Sequence, residues 1–209
     1  PWSWLQDPGE PLSAETTLIT GLTDAAVAGQ AIDDGIAASL LDRADWVVAH
    51  HAVFDIQWLD QRYPQFRDKP WACSMAELPW RDWGYETRSL QPLLWQHGLF
   101  SNAHRAGDDV WALFNLLSQE REDDVGETRS YLSQLIRNAI APSIRVAAVG
   151  SPFAAKDMLR ERGYRWDRLH NVWAKLVEIS AVSREQAWFR AEALPEPRLS
   201  NVDAVARHR

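Results

Sequence analysis

The chain has 209 residues, a hydrophobic content of 46%, a formal net charge of -7 and a single cysteine, Cys73. This length predicts one or two domains. The absence of any run of about 18 apolar residues excludes a transmembrane helix. The lone cysteine excludes an intramolecular disulfide and favours a cytoplasmic location. The start at Pro1 lacks signal-peptide features and is typical of a processed or truncated N-terminus.

Strands alternate with helices in the predicted structure of residues 1–120. Pro8-Gly9 predicts a turn, and Ser13 and Thr23 are candidate N-caps of two short helices. The further elements expected from periodicity are a helix around 36–41, a strand at 45–49, a helix at 52–63, a strand at 71–74, and helices at 90–97 and 108–119. This alternation indicates an α/β domain.

A different organisation is predicted after residue 120. Residues 121–141 suggest a charged linker followed by a helix, and residues 142–194 suggest a small β-α-β-β-α accessory domain of the α+β type. The polar residues 195–209 are expected to be disordered. The charge balance changes where the accessory domain begins: residues 1–141 hold 10 Lys/Arg against 21 Asp/Glu, whereas 142–194 hold 9 against 6.

Two segments each combine a histidine with an aspartate beside a predicted helix. In Ala49–Asp55, the aspartate falls in the first helical turn after a buried strand, a position where α/β sheets bind ligands. In Ala103–Leu113, His104 precedes the helix and Asp109 falls in its first turn. A loop histidine near a helix-borne carboxylate suits a general base beside a metal ligand. Capping and the helix dipole offer a purely structural alternative for both aspartates.

These segments resemble motifs of the DEDDh group of 3′→5′ exonucleases, which includes the proofreading epsilon subunit of bacterial DNA polymerase III. The second family motif, A-H-N-A-x-F-D, matches Ala49–Asp55, with His51 at the usual Asn position. The third, H-x-A-x-x-D-A, matches His104–Val110, with Val110 at a frequent Ala position. Upstream, Pro8–Asp24 resembles the family's P-x-x-P and T-G-L-T-D segment. The resemblance covers about residues 1–118.

The resemblance implies a ribonuclease-H-like exonuclease domain over residues 1–120 and a two-metal mechanism using Mg²⁺ or Mn²⁺. Asp55 and Asp109 would be metal ligands, and His104 would deprotonate the attacking water. The residues expected to contact the terminal nucleotide are Leu22, His50, His51 and Phe54. The expected partner is a single-stranded 3′ end of DNA or RNA, with a DNA polymerase or repair protein as a further partner and no membrane.

The first family motif, D-x-E, is absent. Ser13-Ala-Glu15 resembles it superficially, but a serine replaces the aspartate and Glu15 aligns with a later family segment. We therefore expect the motif to precede Pro1 and the chain alone to be an inactive fragment. One alternative is a non-catalytic nucleic-acid-binding or scaffolding protein that has lost this motif. Another is an unrelated, zinc-preferring hydrolase whose candidate ligands are His50, His51, Asp55 and His104.

Basic and aromatic residues interleave between Lys156 and Lys175 in the accessory domain. This pattern is typical of surfaces that bind single-stranded nucleic acid. The alternative is that Tyr164, Trp166 and Trp173 form the core of a small sheet that needs aromatic side chains for stability.

Overall fold

The computed structural model describes residues 2–102, 105–123 and 125–209 as a mixed α/β protein, the class that the sequence predicts. The helices are α1 Ala14–Thr20, α2 Asp24–Val27, α3 Asp34–Arg43, α4 Ala52–Arg62, α5 Ser74–Glu77, α6 Leu90–Gln96, α7 Ala106–Leu117, α8 Tyr131–Ile140, α9 Lys156–Glu161 and α10 Val182–Ala191. The strands are β1 Val47–Ala49, β2 Trp71–Cys73, β3 Glu120–Glu122, β4 Thr128–Ser130, β5 Ser143–Ala147, β6 Arg165–Asp167, β7 Val172–Glu178 and β8 Arg198–Val202.

The chain divides into two compact units. The first unit contains Pro1–Asn138 together with His208–Arg209, and the second contains Ala139–Arg207. None of the helices within the described ranges is both long and apolar enough to cross a membrane.

A parallel pair of short strands lies at the centre of the first unit. In β1 and β2, Val47 pairs with Trp71 and Ala49 pairs with Cys73. Along its other edge, β1 pairs with no strand among the described residues. Because the two strands are parallel, their carboxyl ends lie on one side of the sheet. The helix α4 follows β1 after two residues, and α5 follows β2 without a break.

The side chains between this sheet and α4 form a buried cluster. Ala52 and Ile56 of α4 pack with Trp71 and Cys73 of β2, because α4 turns its smaller residues toward the sheet. Cys73 is buried and free, and its thiol donates a hydrogen bond to the carbonyl of His50 at 3.3 Å. Burial raises the pKa of the Cys73 thiol.

A second cluster in the first unit is aromatic and includes a triangle of polar atoms. The hydroxyl of Tyr85 lies 2.8 Å from that of Tyr131 and 2.9 Å from Nε2 of His97, which is 3.0 Å from the Tyr131 hydroxyl. Nδ1 of His97 bonds to the Leu93 carbonyl at 2.7 Å, so Nδ1 is the donor and the neutral ring accepts at Nε2. Trp80 packs edge-on against both tyrosine rings.

The second unit is a four-stranded antiparallel sheet in the order β6-β7-β5-β8. Its core contains Val146, Leu159, Tyr164, Val177 and Phe189, which come from the sheet, from α9, from the segment that follows α9 and from α10. Strand residues alternate between the two faces of the sheet, and the apolar residues Val146 and Val177 meet the helices on one face.

A buried carboxylate lies inside this second core. Glu185 of α10 accepts hydrogen bonds from Lys175 and from the Tyr164 hydroxyl, both at 3.1 Å, and forms an ion pair with Arg162 at 3.3 Å. These three donors compensate the cost of removing the carboxylate from water. Burial and the neighbouring Glu185 charge raise the pKa of the Tyr164 hydroxyl.

The structure corrects the expectation that residues 195–209 are disordered. Arg198–Val202 forms the edge strand β8, which pairs with β5, and His208 is buried. An edge strand is held by backbone hydrogen bonds to one neighbour and does not need apolar side chains. The polar sequence of β8 therefore gives little indication that it forms a strand. The charged segment at 120–127 was also expected to be a linker, but Glu120–Glu122 forms a hairpin with Thr128–Ser130.

Candidate functional site

The first predicted motif spans the connection from β1 to α4. β1 ends at Ala49, His50 and His51 form the connection, and Asp55 lies in the first turn of α4. Thus Asp55 lies on the side of the parallel pair where the carboxyl ends of β1 and β2 meet, as expected from the sequence.

His50 joins three parts of the first unit. Its Nδ1 lies 2.8 Å from Oγ of Ser74, and its Nε2 lies 2.8 Å from the carbonyl oxygen of Arg88. Because a carbonyl only accepts, Nε2 carries the proton and Nδ1 accepts from the serine hydroxyl in the neutral ring. Burial lowers the pKa of His50, which favours that neutral form. Both nitrogens are therefore engaged within the fold, and a contact of His50 with a nucleotide stays a prediction.

The Asp55 side chain is exposed at the protein surface. Its carboxylate accepts no hydrogen bond and forms no ion pair within the described part of the chain. The surrounding protein atoms nevertheless displace part of the water around the carboxyl and raise the pKa of Asp55, and the nearby His51 ring only partly opposes this effect. Among the described residues, the Asp55 carboxylate therefore has no ion-pair partner.

Three aromatic rings form a row on the exposed side of α4. The rings of His51 and Phe54 stack with centroids 6.3 Å apart, and Trp58 meets Phe54 edge-on at 6.4 Å. Phe54 is 57% exposed and Trp58 is 63% exposed. The sequence suggests that both rings share the apolar face of the helix, but Ala52 and Ile56 occupy the buried face instead. Trp58 is a candidate site residue that the sequence analysis did not identify, although its i, i+4 spacing from Phe54 was a usable signal.

The second predicted motif lies at the start of α7. Arg105 is the N-cap residue, and Asp108 and Asp109 lie in the first turn, partly buried. The amide of Asp109 donates to the Arg105 carbonyl at 2.8 Å, which begins the helical hydrogen-bond pattern. His104, the predicted general base, lies outside the described residues. The predicted helix is confirmed, with Leu113 and Leu117 on its buried face.

Two glycines bring other segments close to the start of α7. A Cβ atom at Gly107 would lie 3.2 Å from Oγ of Ser3, and one at Gly21 would lie 3.4 Å from the Arg105 guanidinium. Gly21 ends α1 with a φ of 66°, a left-handed conformation that suits glycine. The next residue, Leu22, is half-buried and donates its amide to Thr20 Oγ1 at 3.1 Å. The turn that carries Leu22 therefore lies beside the start of α7.

The two aspartates are chemically suited to a hard divalent cation, because Mg²⁺ and Mn²⁺ prefer carboxylate oxygens. Within residues 2–102, 105–123 and 125–209, however, no three His, Cys, Asp or Glu side chains form a group that could hold a metal ion. Asp55 and Asp109 therefore supply at most part of a ligand set. Comparisons with protein-family models, with curated proteins and with solved structures find no match to this chain.

Proposed function

We propose that the first unit carries part of a DEDDh-type 3′→5′ exonuclease site in a ribonuclease-H-like fold, acting on single-stranded ends of DNA or RNA. The observation that carries this proposal is the placement of two motif aspartates. Asp55 and Asp109, which follow A-H-H-A-V-F and H-R-A-G-D in the order of that family, lie in the first turns of α4 and α7.

Two further features support the proposal. The Asp55 carboxylate has a raised pKa and forms no ion pair within the described residues, so a divalent ion would stabilise its charged form. The second edge of β1 is open for another strand in the described structure, and a strand bearing D-x-E is what the family resemblance implies. The two carboxylates of that motif would complete the ligand set.

In this proposal each residue has a separate role. Asp55 and Asp109 would hold Mg²⁺ or Mn²⁺, which would supply activation of water and stabilisation of the leaving 3′ oxygen. His104 accepts the proton of the water that attacks the phosphorus atom. Leu22 and the exposed Phe54 ring pack against the terminal nucleotide, and His51 flanks Phe54. A DNA polymerase or repair protein as a partner, and a cytoplasmic location, belong to the same proposal.

Binding of Mn²⁺ tests the metal site directly. We expect paramagnetic Mn²⁺ to broaden the backbone NMR signals around Asp55 and Asp109 over the same concentration range, and expect Asp55→Asn to weaken both effects. Asp157→Asn is the matched control because Asp157 is also a first-turn aspartate, in α9. Broadening at only one of the two aspartates would contradict a shared site. Tight Zn²⁺ binding that depends on the histidines would instead support the unrelated hydrolase.

An activity assay tests the missing carboxylates. With two of the family's four acidic ligands, the 209-residue chain is expected to leave a 5′-labelled single-stranded oligonucleotide intact in Mn²⁺. Trimming that is lost in His104→Ala would show that a complete site exists without D-x-E. Supplying a D-x-E strand as part of a longer gene product is expected to restore trimming, and Asp109→Asn is expected to abolish it again.

A further inference from the structure

Exposed basic and aromatic side chains follow one another along α9 and β6 of the second unit. Phe153, in the turn before α9, is 81% exposed, and the Nζ atom of Lys156 lies 4.4 Å from the centre of its ring. Arg160 lies four residues after Lys156, and side chains at this spacing share one side of a helix. The Arg160 side chain is also largely exposed.

Two further residues of this kind lie in β6, an edge strand in which Arg165 and Trp166 leave the sheet on opposite faces. The guanidinium of Arg165 donates to the carbonyl of Tyr164 at 3.0 Å and to that of Arg160 at 3.4 Å, which links the end of α9 to the strand. Trp166 is 48% exposed and meets Trp173 edge-on at 5.8 Å. We call the set formed by Phe153, Lys156, Arg160, Arg165 and Trp166 the basic strip.

The charge around this strip is opposite to that of the whole chain. Residues 153–168 contain five Lys/Arg against three Asp/Glu, whereas the complete chain has a net charge of -7. Of those three acids, Asp157 pairs with Arg160 at 3.1 Å, Asp167 pairs with Arg145 and His170, and Glu161 is exposed. An anionic partner would therefore meet a locally positive surface on an otherwise acidic protein.

Only some of the aromatic residues between Phe153 and Trp173 belong to the core of the second unit. Tyr164 is completely buried and Trp173 packs against the core, so these two rings are structural. Phe153 and Trp166, which precede and follow the three cations in the chain, expose about half or more of their surface. Rings in such positions are available for stacking with unpaired bases, which a double helix would keep inside its own stack.

We propose that the basic strip binds single-stranded nucleic acid, with Lys156, Arg160 and Arg165 contacting phosphates and with Phe153 and Trp166 stacking on bases. The path from Phe153 to Arg160 covers roughly 10 Å at the helical rise per residue. This site is separate from the nuclease residues of the first unit and does not depend on the metal proposed there.

Fluorescence anisotropy of the full chain with a labelled oligothymidylate of about 20 nucleotides tests this proposal. EDTA is present, so the proposed metal site makes no contribution. The affinity is expected to fall steeply between about 50 and 200 mM salt. The double variant Lys156→Glu/Arg160→Glu should bind at least about ten-fold more weakly. The control Arg184→Glu/Arg190→Glu has the same charge change on α10 and should stay within about two-fold.

The aromatic contacts need separate variants. Phe153→Ala and Trp166→Ala should each weaken binding about five-fold or more, with a smaller effect on the salt dependence than the charge reversals have. Phe153 is almost fully exposed, so its variant keeps the fold, as a thermal melt would verify. Equal losses in the two charge-reversal pairs would overturn the proposal. So would equally effective competition by polyglutamate, which would identify an acidic polypeptide as the better partner.

Discussion

The carboxylate of Glu185 lies 3.1 Å from the ammonium group of Lys175, and the two differ strongly in exposure, at 2% and 26% of their side chains. Removing Lys175 leaves the buried charge of Glu185 with one fewer of its two ion-pair partners, whereas removing Glu185 leaves Lys175 and Arg162, which water can reach. We expect Lys175→Met to destabilise the second unit by about 2 kcal/mol and Glu185→Gln by about 1 kcal/mol. Hydrogen exchange of the β5 and β7 amides measures this difference even if the units unfold separately. Equal effects would contradict it.

Acid should destabilise the second unit through Asp167. Burial alone would raise the pKa of this carboxyl, but hydrogen bonds from the amide and ring of His170 and from Arg145 lower the pKa to about 2. The folded state therefore binds the proton less readily than the unfolded state. The contribution of Asp167 is present above pH 4 or so, near the usual pKa of an aspartate, and is lost as the pH falls toward 2.

Thermal melts between about pH 2 and 5 test this contribution, a range set by these pKa values. In Asp167→Asn we expect lower stability at neutral pH and a flatter pH dependence in this window. Asp157→Asn is the control, since Asp157 lies in an exposed ion pair that should contribute little. An unchanged slope in the Asp167 variant would refute this prediction.

His50 should remain neutral at a pH where an exposed histidine begins to titrate. Because burial lowers its pKa, protonation favours the unfolded state, and stability from this residue is lost as the pH falls below about 6.5. NMR of the ring nitrogens should show a proton on Nε2 and none on Nδ1. A titration midpoint of His50 at or above about 6.5, the ordinary value for histidine, would disprove the assignment.

The two tyrosine hydroxyls beside His97 should substitute for each other. In Tyr85→Phe, the Tyr131 hydroxyl can still donate to Nε2 of His97, and in Tyr131→Phe the Tyr85 hydroxyl can do so. We expect each change to cost about 1 kcal/mol. The double variant leaves the half-buried Nε2 acceptor without either hydroxyl donor and should cost more than the sum. Urea unfolding of the four proteins gives the coupling energy, and strict additivity would exclude this network.

Backbone strain should dominate the effect of changing Gly21. Alanine at this left-handed position should destabilise the chain by about 1 kcal/mol. Gly29→Ala provides the comparison, because Gly29 has a φ of 69° and no atom near its Cβ position. If contact with Arg105 contributes, Gly21→Ala will cost more than Gly29→Ala, and Arg105→Ala will remove the excess.

Local signals in the sequence predict much of the first unit. The cap at Ser13, the left-handed glycine after α1, the strand before Ala49 and the helix from residue 108 all depend on neighbours within a few residues. The hydrogen bonds of His50 do not depend on near neighbours, since its partners Ser74 and Arg88 lie 24 and 38 residues away along the chain. No periodicity in the sequence encodes such contacts.

The sequence also does not reveal which apolar side chains of a helix are exposed. An apolar periodicity shows that a helix has one apolar side, but it does not show which residues on that side are covered. In α4 the small Ala52 is buried, whereas the larger Phe54 and Trp58 are exposed. The proposed metal ligands were easier to identify, because first-turn aspartates after histidines form a pattern that can be read without the tertiary structure.

The buried thiol of Cys73 has a practical consequence for measuring distances in this protein. A thiol with a raised pKa and almost no exposed surface reacts slowly with maleimides, because the reactive species is the thiolate. A cysteine introduced at an exposed position such as Phe153 or Trp58 would therefore take up a fluorophore or spin label selectively. The natural chain can be labelled at a chosen residue without first replacing its own cysteine.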